Sequence, residues 1–250
     1  MDKKLKIVVL AAGKGTRLQS ENSDVPKVMR QVCGKPLLWY VLEALPVTDK
    51  QDVIIVVGYG KDKVMEYFDG YRFATQEKQL GTGHAVMAAA EQLGGFDGPV
   101  LVCYGDMPLV KRETYETFVN EHFETGNDCT ILTAKTADPK GLGRVVRNND
   151  GEFVRVVEDR DCDSEELKIT EINTGVYVFN TPRLLNALKQ LKNENDQGEY
   201  YLPDVAEIML NSGEKAGLFK RNLGDELIGV NTVEQLNQVE EILINSDYFG

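Results

Sequence analysis

The residues best suited to chemistry lie in one string, residues 5–27, LKIVVLAAGKGTRLQSENSDVPK. Ala11, Ala12, Gly13 and Gly15 carry almost no side chain, so a ligand can come close to their backbone N–H groups. Lys14, Arg17 and Lys27 bring cations to the same place. A loop of this make-up is built to hold something flat and something anionic. It is not a Walker A loop, because neither GxxxxGKS nor GxxxxGKT occurs. Nor is it the dinucleotide fingerprint GxGxxG, since Leu18 stands where the third glycine would be. The bland alternative is a strand-to-helix turn with surface lysines.

Three more polar residues stand at telling places. Asp106 follows an apolar run and precedes Pro108, so it reads as an Asx-type turn or as a ligand-facing carboxylate. Asn231 opens the last helical pattern. It reads as an N-cap beside the capping-box pair Thr232 and Gln235, or as a ligand-facing amide. Glu158 shares a face with Val154 and Val156 by period two, and a carboxylate on an apolar face implies an inward, bonded position.

These residues must be held by ordered elements. Residues 7–10, 53–57 and 99–104 are short apolar runs that read as strands buried on both faces. Between them, residues 37–45, 61–68 and 82–93 carry helical spacing, with a short strand over 71–75. Residues 111–124 read as a helix and 128–136 as a strand. This alternation predicts an α/β fold, a Rossmann-like, mostly parallel sheet with helices on both faces. In such sheets ligands bind outside the carboxyl ends of the strands, where Gly13 and Asp106 fall. The pattern changes near residue 137. A hairpin over 143–158 turns at Asn148–Gly151, a strand spans 169–180, helices follow at 181–191 and 199–211, strands at 215–220 and 226–230, and a helix at 232–244. The expected organisation is a first half over 1–136, a substrate-facing half over 137–230, and a C-terminal helix over 231–250.

The chain has 250 residues and a formal net charge of −12, which argues against a general nucleic-acid binder. An acidic protein with an anionic ligand has to concentrate its cations, or a metal, at the site. Cys33, Cys103, Cys129 and Cys162 are scattered without metal-ligand spacing, so reduced thiols and a cytoplasmic location are expected. The apolar run at the N-terminus is too short for a signal peptide, and no run reaches the length of a membrane span.

The string LAAGKGTRL…PK resembles the signature of the sugar-1-phosphate nucleotidyltransferases, the nucleoside-diphosphate-sugar pyrophosphorylases. The resemblance runs from about residue 5 to residue 243. It implies that residues Leu10–Gly15 wrap a nucleotide, that Lys14 and Arg17 hold its phosphates, and that Lys27 stabilises charge in the reaction. It makes Arg17, Lys27 and Asp106 catalytic, and Asp106 and Asn231 the ligands of Mg2+. Gln76, Gly81, Thr82 and Tyr104 would complete the nucleotide side. QLGTGHA (Gln79–Ala85) resembles the base-reading segment of the branch using UTP and N-acetylglucosamine 1-phosphate. A Gln amide can serve uracil, or rotate to serve cytosine. Thr82, Gly143, Glu158 and Asn173 would bind the sugar. His84 reads as structural, and Tyr200, Tyr201 and Asp204 as framework.

The resemblance thus implies a Mg2+-dependent uridylyltransferase making UDP-N-acetylglucosamine and pyrophosphate, a step toward cell-envelope precursors. The substrates are small molecules, with no nucleic-acid or membrane partner. The alternatives are a pyrophosphorylase for glucose 1-phosphate with UTP or dTTP, and a non-catalytic sugar-nucleotide-binding relative. Leu142 departs from the family, where close relatives usually carry an aromatic residue. Bifunctional relatives continue into a β-helix acetyltransferase domain. The chain ends at Gly250, and no such domain is expected in it.

Overall fold

The computed structural model describes residues 4–15, 18 and 25–245. Its strands are β1 (Lys6–Ala11), β2 (Gln31–Val32), β3 (Lys35–Pro36), β4 (Val53–Val57), β5 (Arg72–Thr75), β6 (Pro99–Tyr104), β7 (Cys129–Lys135), β8 (Arg144–Arg147), β9 (Phe153–Val157), β10 (Glu171–Asn180) and β11 (Ala216–Lys220). The helices are α1 (Leu37–Ala44), α2 (Lys61–Tyr67), α3 (Thr82–Ala88), α4 (Ala90–Leu93), α5 (Arg112–Thr125), α6 (Thr181–Leu188), α7 (Asp204–Asn211) and α8 (Val233–Asn245).

The main sheet runs β11-β7-β10-β6-β1-β4-β5. β1 pairs in parallel with β4 and β6, β4 with β5, and β11 with β7. β10 is antiparallel to both of its neighbours, β6 and β7. This reversed strand brings its N-terminal half, with Asn173, to the carboxyl ends of β1 and β6. The β8–β9 hairpin extends from β10 at that end, turning where Asn148 Oδ1 accepts from the N–H groups of Asp150 and Glu152.

Period two divides β1 between two cores. Ile7 and Val9 pack with Leu38, Val41, Val64, Tyr115 and Phe118 from α1, α2 and α5. Val8 and Leu10 pack on the other face with Ala85, Val86, Leu184, Val205 and Met209 from α3, α6 and α7. Each such side chain, fully buried, contributes about 1.5–3 kcal/mol relative to exposure. A third cluster joins Leu18, Val32, Leu37, Leu109, Val230 and Val239, and so seats α8 beside the carboxyl-end loops.

Four local expectations are corrected. Residues 226–230 form no strand. A 3-10 turn spans Gly224–Leu227, and the Val230 N–H donates to the Asp106 carbonyl (2.9 Å) rather than to a ladder. The helix expected over 199–211 begins only at Asp204, because Tyr200 gives its N–H to Leu80 O and its carbonyl to Gly83 N, both at 2.8 Å. The helix over 82–93 is two pieces meeting at Ala89, whose N–H reaches back three residues to Val86 O. Val154 is exposed while Val156 is buried, so the apolar face assumed for Glu158 is only half apolar. β2–β3 is a small hairpin that the sequence pattern did not reveal, turning through Cys33 and Gly34 at φ 48° and 76°.

Candidate functional site

Two cavities open at the carboxyl ends of β1 and β6 and share a wall. The first, about 270 Å³, is lined by Leu10, Ala11, Ala12 and Gly13 after β1, by Gln76, Gly81 and Thr82, and by Lys27, Tyr104 and Asp106. The second, about 500 Å³, is lined by Gly143, Glu158, Asn173 and Asn231, and again by Tyr104 and Asp106. These are sequence-named residues from distant parts of the chain. Thr82 lines the first cavity and not the second, and its hydroxyl accepts from Leu202 N–H at 3.0 Å. Lys14 and Gly15 line neither; exposed Lys14 stands 5.9 Å from the Tyr59 ring centroid beside an adjoining cavity. Arg17 lies outside the described residues.

The first cavity is walled by backbone wherever glycine or alanine removes the side chain. A Cβ on Gly13 would meet nothing within 4 Å, so no internal contact requires its small size. Gly81 is different. Its φ of 104° and a Cβ only 2.6 Å from Tyr200 O exclude any side chain. Gly81→Ala should therefore destabilise the fold by about 1–3 kcal/mol or more, read as a lowered urea midpoint, and weaken nucleotide binding. The Tyr200 segment, taken as framework from the sequence, is the clamp that shapes this turn.

Gln76, 5% exposed, donates through Nε2 to Gly81 O at 3.0 Å and contacts His84 Nδ1 at 3.0 Å. Gln79, which the sequence marks only as part of the turn, lines the cavity and donates to Ala12 O at 2.5 Å. Glu199 also lines it, brought there by the same diverted backbone. Neither carried a sequence signal of its own. The second histidine, His122, is buried against Thr130 Oγ1 at 2.8 Å, and burial lowers its pKa to about 4.

At the shared wall, the Lys27 ammonium is ion-paired with Asp106 Oδ2 and donates to Asn231 Oδ1 at 2.6 Å. Thr232 and Gln235 cap α8: Gln235 Oε1 accepts from the N–H of Asn231 (2.7 Å) and Thr232 (3.1 Å), and Thr232 Oγ1 accepts from Gln235 N–H. The cap is thus made without the Asn231 side chain, which is left to face Lys27. A carboxylate oxygen and an amide oxygen converge on one cation. That donor pair suits Mg2+, which keeps several waters and takes only one or two protein oxygens. No cluster of three or more His, Cys, Asp or Glu side chains fit for a metal occurs among the described residues.

Tyr104 is seated because Gly175 has no side chain; a Cβ there would fall 1.9 Å from the ring. Burial pushes the Tyr104 phenol well up, and Glu158 and Asp106 add to it, so it stays a neutral hydroxyl. In the second cavity, burial first, and then the carboxylates of Asp204, Asp161 and Asp159, push Glu158 up to about 7. Its carboxyl has no hydrogen-bond partner among the described residues, contrary to the bonded position expected, yet neither oxygen is sealed from the cavity. Asn173 donates to Tyr177 Oη at 2.6 Å and accepts from Gly175 N–H at 3.0 Å. One amide hydrogen and one lone pair remain for a ligand. Gly143 is fixed in turn by its carbonyl, which accepts from Asn173 N–H at 2.9 Å.

The chain resembles known proteins over most of its length. The family model described as the MobA-like NTP transferase domain matches residues 7–205. The "Bifunctional protein GlmU" of Lactobacillus gasseri is 46% identical over 238 residues, covering 95% of this chain and 51% of the relative. That of Halalkalibacterium halodurans is 43% identical over 237 residues, covering 94% and 51%. The chain thus spans about half the length of the curated relatives it matches. Among solved structures, a Bacillus anthracis protein assigned as a glucose-1-phosphate thymidylyltransferase, crystallised with sucrose, superposes with a TM-score of 0.72 at 19% identity. It covers 95% of this chain and 94% of its own, a likeness of fold.

Proposed function

The chain belongs to the MobA-like NTP transferase domain family and is a nucleotidyltransferase, and from that premise we propose that it joins UTP and N-acetylglucosamine 1-phosphate to give UDP-N-acetylglucosamine and pyrophosphate. The observation that carries this reading is the wall that two cavities share. One cavity has small residues and a buried Gln amide, suited to a nucleotide; the other has Glu158, Asn173 and the Gly143 backbone, suited to a sugar.

In this reaction a phosphate oxygen of the sugar ester attacks the α-phosphorus of UTP. The new P–O bond forms as the bond to the bridging oxygen breaks, and pyrophosphate leaves with that electron pair. A phosphate monoester has a second pKa of about 6, so the nucleophile is already ionised at neutral pH and requires no general base. Both histidines have structural partners, which agrees with that. The obstacle is repulsion between two polyanions, and catalysis is mainly positioning and charge stabilisation. Lys27 supplies charge at the shared wall, and Lys14 and Arg17 are proposed to hold the outer phosphates. Asp106 and Asn231 would hold Mg2+, which when bound would offset the negative charge of both substrates. Glu158 accepts hydrogen bonds from sugar hydroxyls as its carboxylate, and Asn173 offers its free amide hydrogen to the N-acetyl carbonyl.

The direct test is pyrophosphate release from a panel of UTP, dTTP and CTP with N-acetylglucosamine 1-phosphate or glucose 1-phosphate, with Mg2+ present. The highest kcat/KM is expected for UTP with N-acetylglucosamine 1-phosphate. A preference for glucose 1-phosphate would replace the sugar assignment.

The Glu158 carboxyl adds a dependence on pH. Burial and the neighbouring carboxylates raise its folded pKa from the ordinary 4.5 to about 7. The sign follows: the contribution to stability is fully present below about pH 4.5 and is lost as pH rises through about 7. Glu158→Gln should therefore stabilise the protein at pH 8 relative to wild type more than at pH 5, read as the difference in melting temperature. The same variant should raise KM for the sugar phosphate more than for UTP, and more at pH 8 than at pH 6. An equal effect on both substrates would move Glu158 off the sugar side.

A further inference from the structure

The Gln76 amide is held in one orientation, and that orientation has a consequence for the base. A backbone carbonyl can only accept, so the group facing Gly81 O at 3.0 Å must be the NH2 end. The same nitrogen lies 3.0 Å from His84 Nδ1. With one amide hydrogen directed at Gly81, the other meets Nδ1, which must therefore carry the lone pair. His84 is then the neutral tautomer with its hydrogen on Nε2. Both Gln76 donors are spent inside the protein. The group left over is Oε1, which has no partner among the described residues and is not sealed off, on a side chain that lines the first cavity. Reversing the amide would set Oε1 against Gly81 O, two acceptors with no hydrogen between them.

His84 is itself fixed. It lies in the first turn of α3, whose start is tied down by Gly83 N–H donating to Tyr200 O and by Leu202 N–H donating to Thr82 Oγ1. The Tyr200 ring lies alongside, its centroid 6.2 Å from that of the imidazole.

We propose that His84 is a positioning residue for base selection: by accepting from Gln76 Nε2 beside Gly81 O it helps to keep Gln76 Oε1 toward the cavity, where, set against the N3 edge of a base, that oxygen takes a pyrimidine carrying an N3–H donor, uracil or thymine, and repels the lone pair of cytosine N3. This rests on the reading of the first cavity as the nucleotide site. It goes beyond that reading, in which a freely rotating Gln serves either base.

The test measures equilibrium binding of UTP and CTP, with Mg2+, to wild type, His84→Phe and His84→Gln. Wild type should prefer UTP by at least about tenfold. His84→Phe keeps a ring beside Tyr200 but removes the acceptor. The UTP-to-CTP ratio should fall about three- to tenfold, one neutral hydrogen bond's worth, with CTP gaining as UTP loses. His84→Gln offers a carbonyl to the same N–H and should restore part of the ratio. Should His84→Phe fold poorly, His84→Ala carries the same expectation. Equal weakening of both nucleotides, with the ratio unchanged, would mean that His84 only supports the helix, and would overturn the proposal. A wild-type preference for CTP would overturn it together with the base assignment. A wild type that prefers UTP, and loses that preference in His84→Phe, but turns over no sugar phosphate supports the proposal and removes only the acceptor half of the proposed reaction.

Discussion

Asp106→Ala is expected to reduce turnover by about a thousandfold or more, the upper end of what losing one preorganised electrostatic group costs, while the protein stays folded. The carboxylate has one described side-chain partner, the Lys27 ammonium, at the wall between the cavities. Its structural contribution comes from the backbone: the Asp106 carbonyl accepts from Val230 N–H at 2.9 Å and so ties the loop after β6 to the segment before α8. Alanine keeps that carbonyl. Lys27 keeps Asn231 Oδ1 as a partner in the variant, so its charge is not stranded. Stability should fall by no more than about 1.5–3 kcal/mol, the cost of one charged hydrogen bond. Circular dichroism and a melting curve check the fold, and pyrophosphate release with Mg2+ checks the activity. Activity within tenfold of wild type would remove Asp106 from the chemistry, and with it the proposed metal site.

The parts of this fold that the sequence made plain are those whose hydrogen bonds are local or repeat along a ladder. β1, β4 and β6 are continuous apolar runs because parallel strands are buried on both faces, and their pattern needs no knowledge of neighbours. The β8–β9 turn was likewise legible, since Asn148 and Gly151 satisfy it from within. The errors cluster where backbone groups bond to distant segments. Residues 199–203 have helical character in sequence, but Tyr200 is bonded to the 80–83 turn. Residues 226–230 look like a strand, but Val230 is bonded to Asp106. Asn231 was ambiguous for a related reason. Asn231 and Thr232 are both good caps, and only the structure assigns the cap to Thr232. No spacing rule could join Lys27 to Asn231, 204 residues apart; the family resemblance put them in one site, and the ammonium between two oxygens gives that a physical form.

That ammonium leads to the second large effect: Lys27→Ala should lower kcat by about 10²–10³ and, without nucleotide, tighten Mg2+ at the Asp106–Asn231 pair. Lys27 is fixed at its backbone by packing that the substitution leaves intact. It opens the 3-10 turn Lys27–Met29, a Cβ on Gly15 would come within 2.7 Å of its own Cβ, and Pro26 before it packs where Gly60 has no side chain. The turn should survive the loss of the butylammonium. In the free protein the ammonium is paired with the same two oxygens proposed for the metal, so a divalent ion has to displace it. Its removal frees both oxygens and also removes a like charge, and metal affinity rises on both counts. During turnover the balance reverses. A lysine released from Asp106 is one of few cations available to the phosphates in a chain of net charge −12, and its absence leaves their repulsion unrelieved. The two readouts move in opposite directions, which a merely damaged site cannot do. Titration of Mg2+ into Lys27→Ala and wild type, beside steady-state rates, tests both. Slower turnover with weaker metal binding would mean that Lys27 holds the two ligands together rather than competing for them.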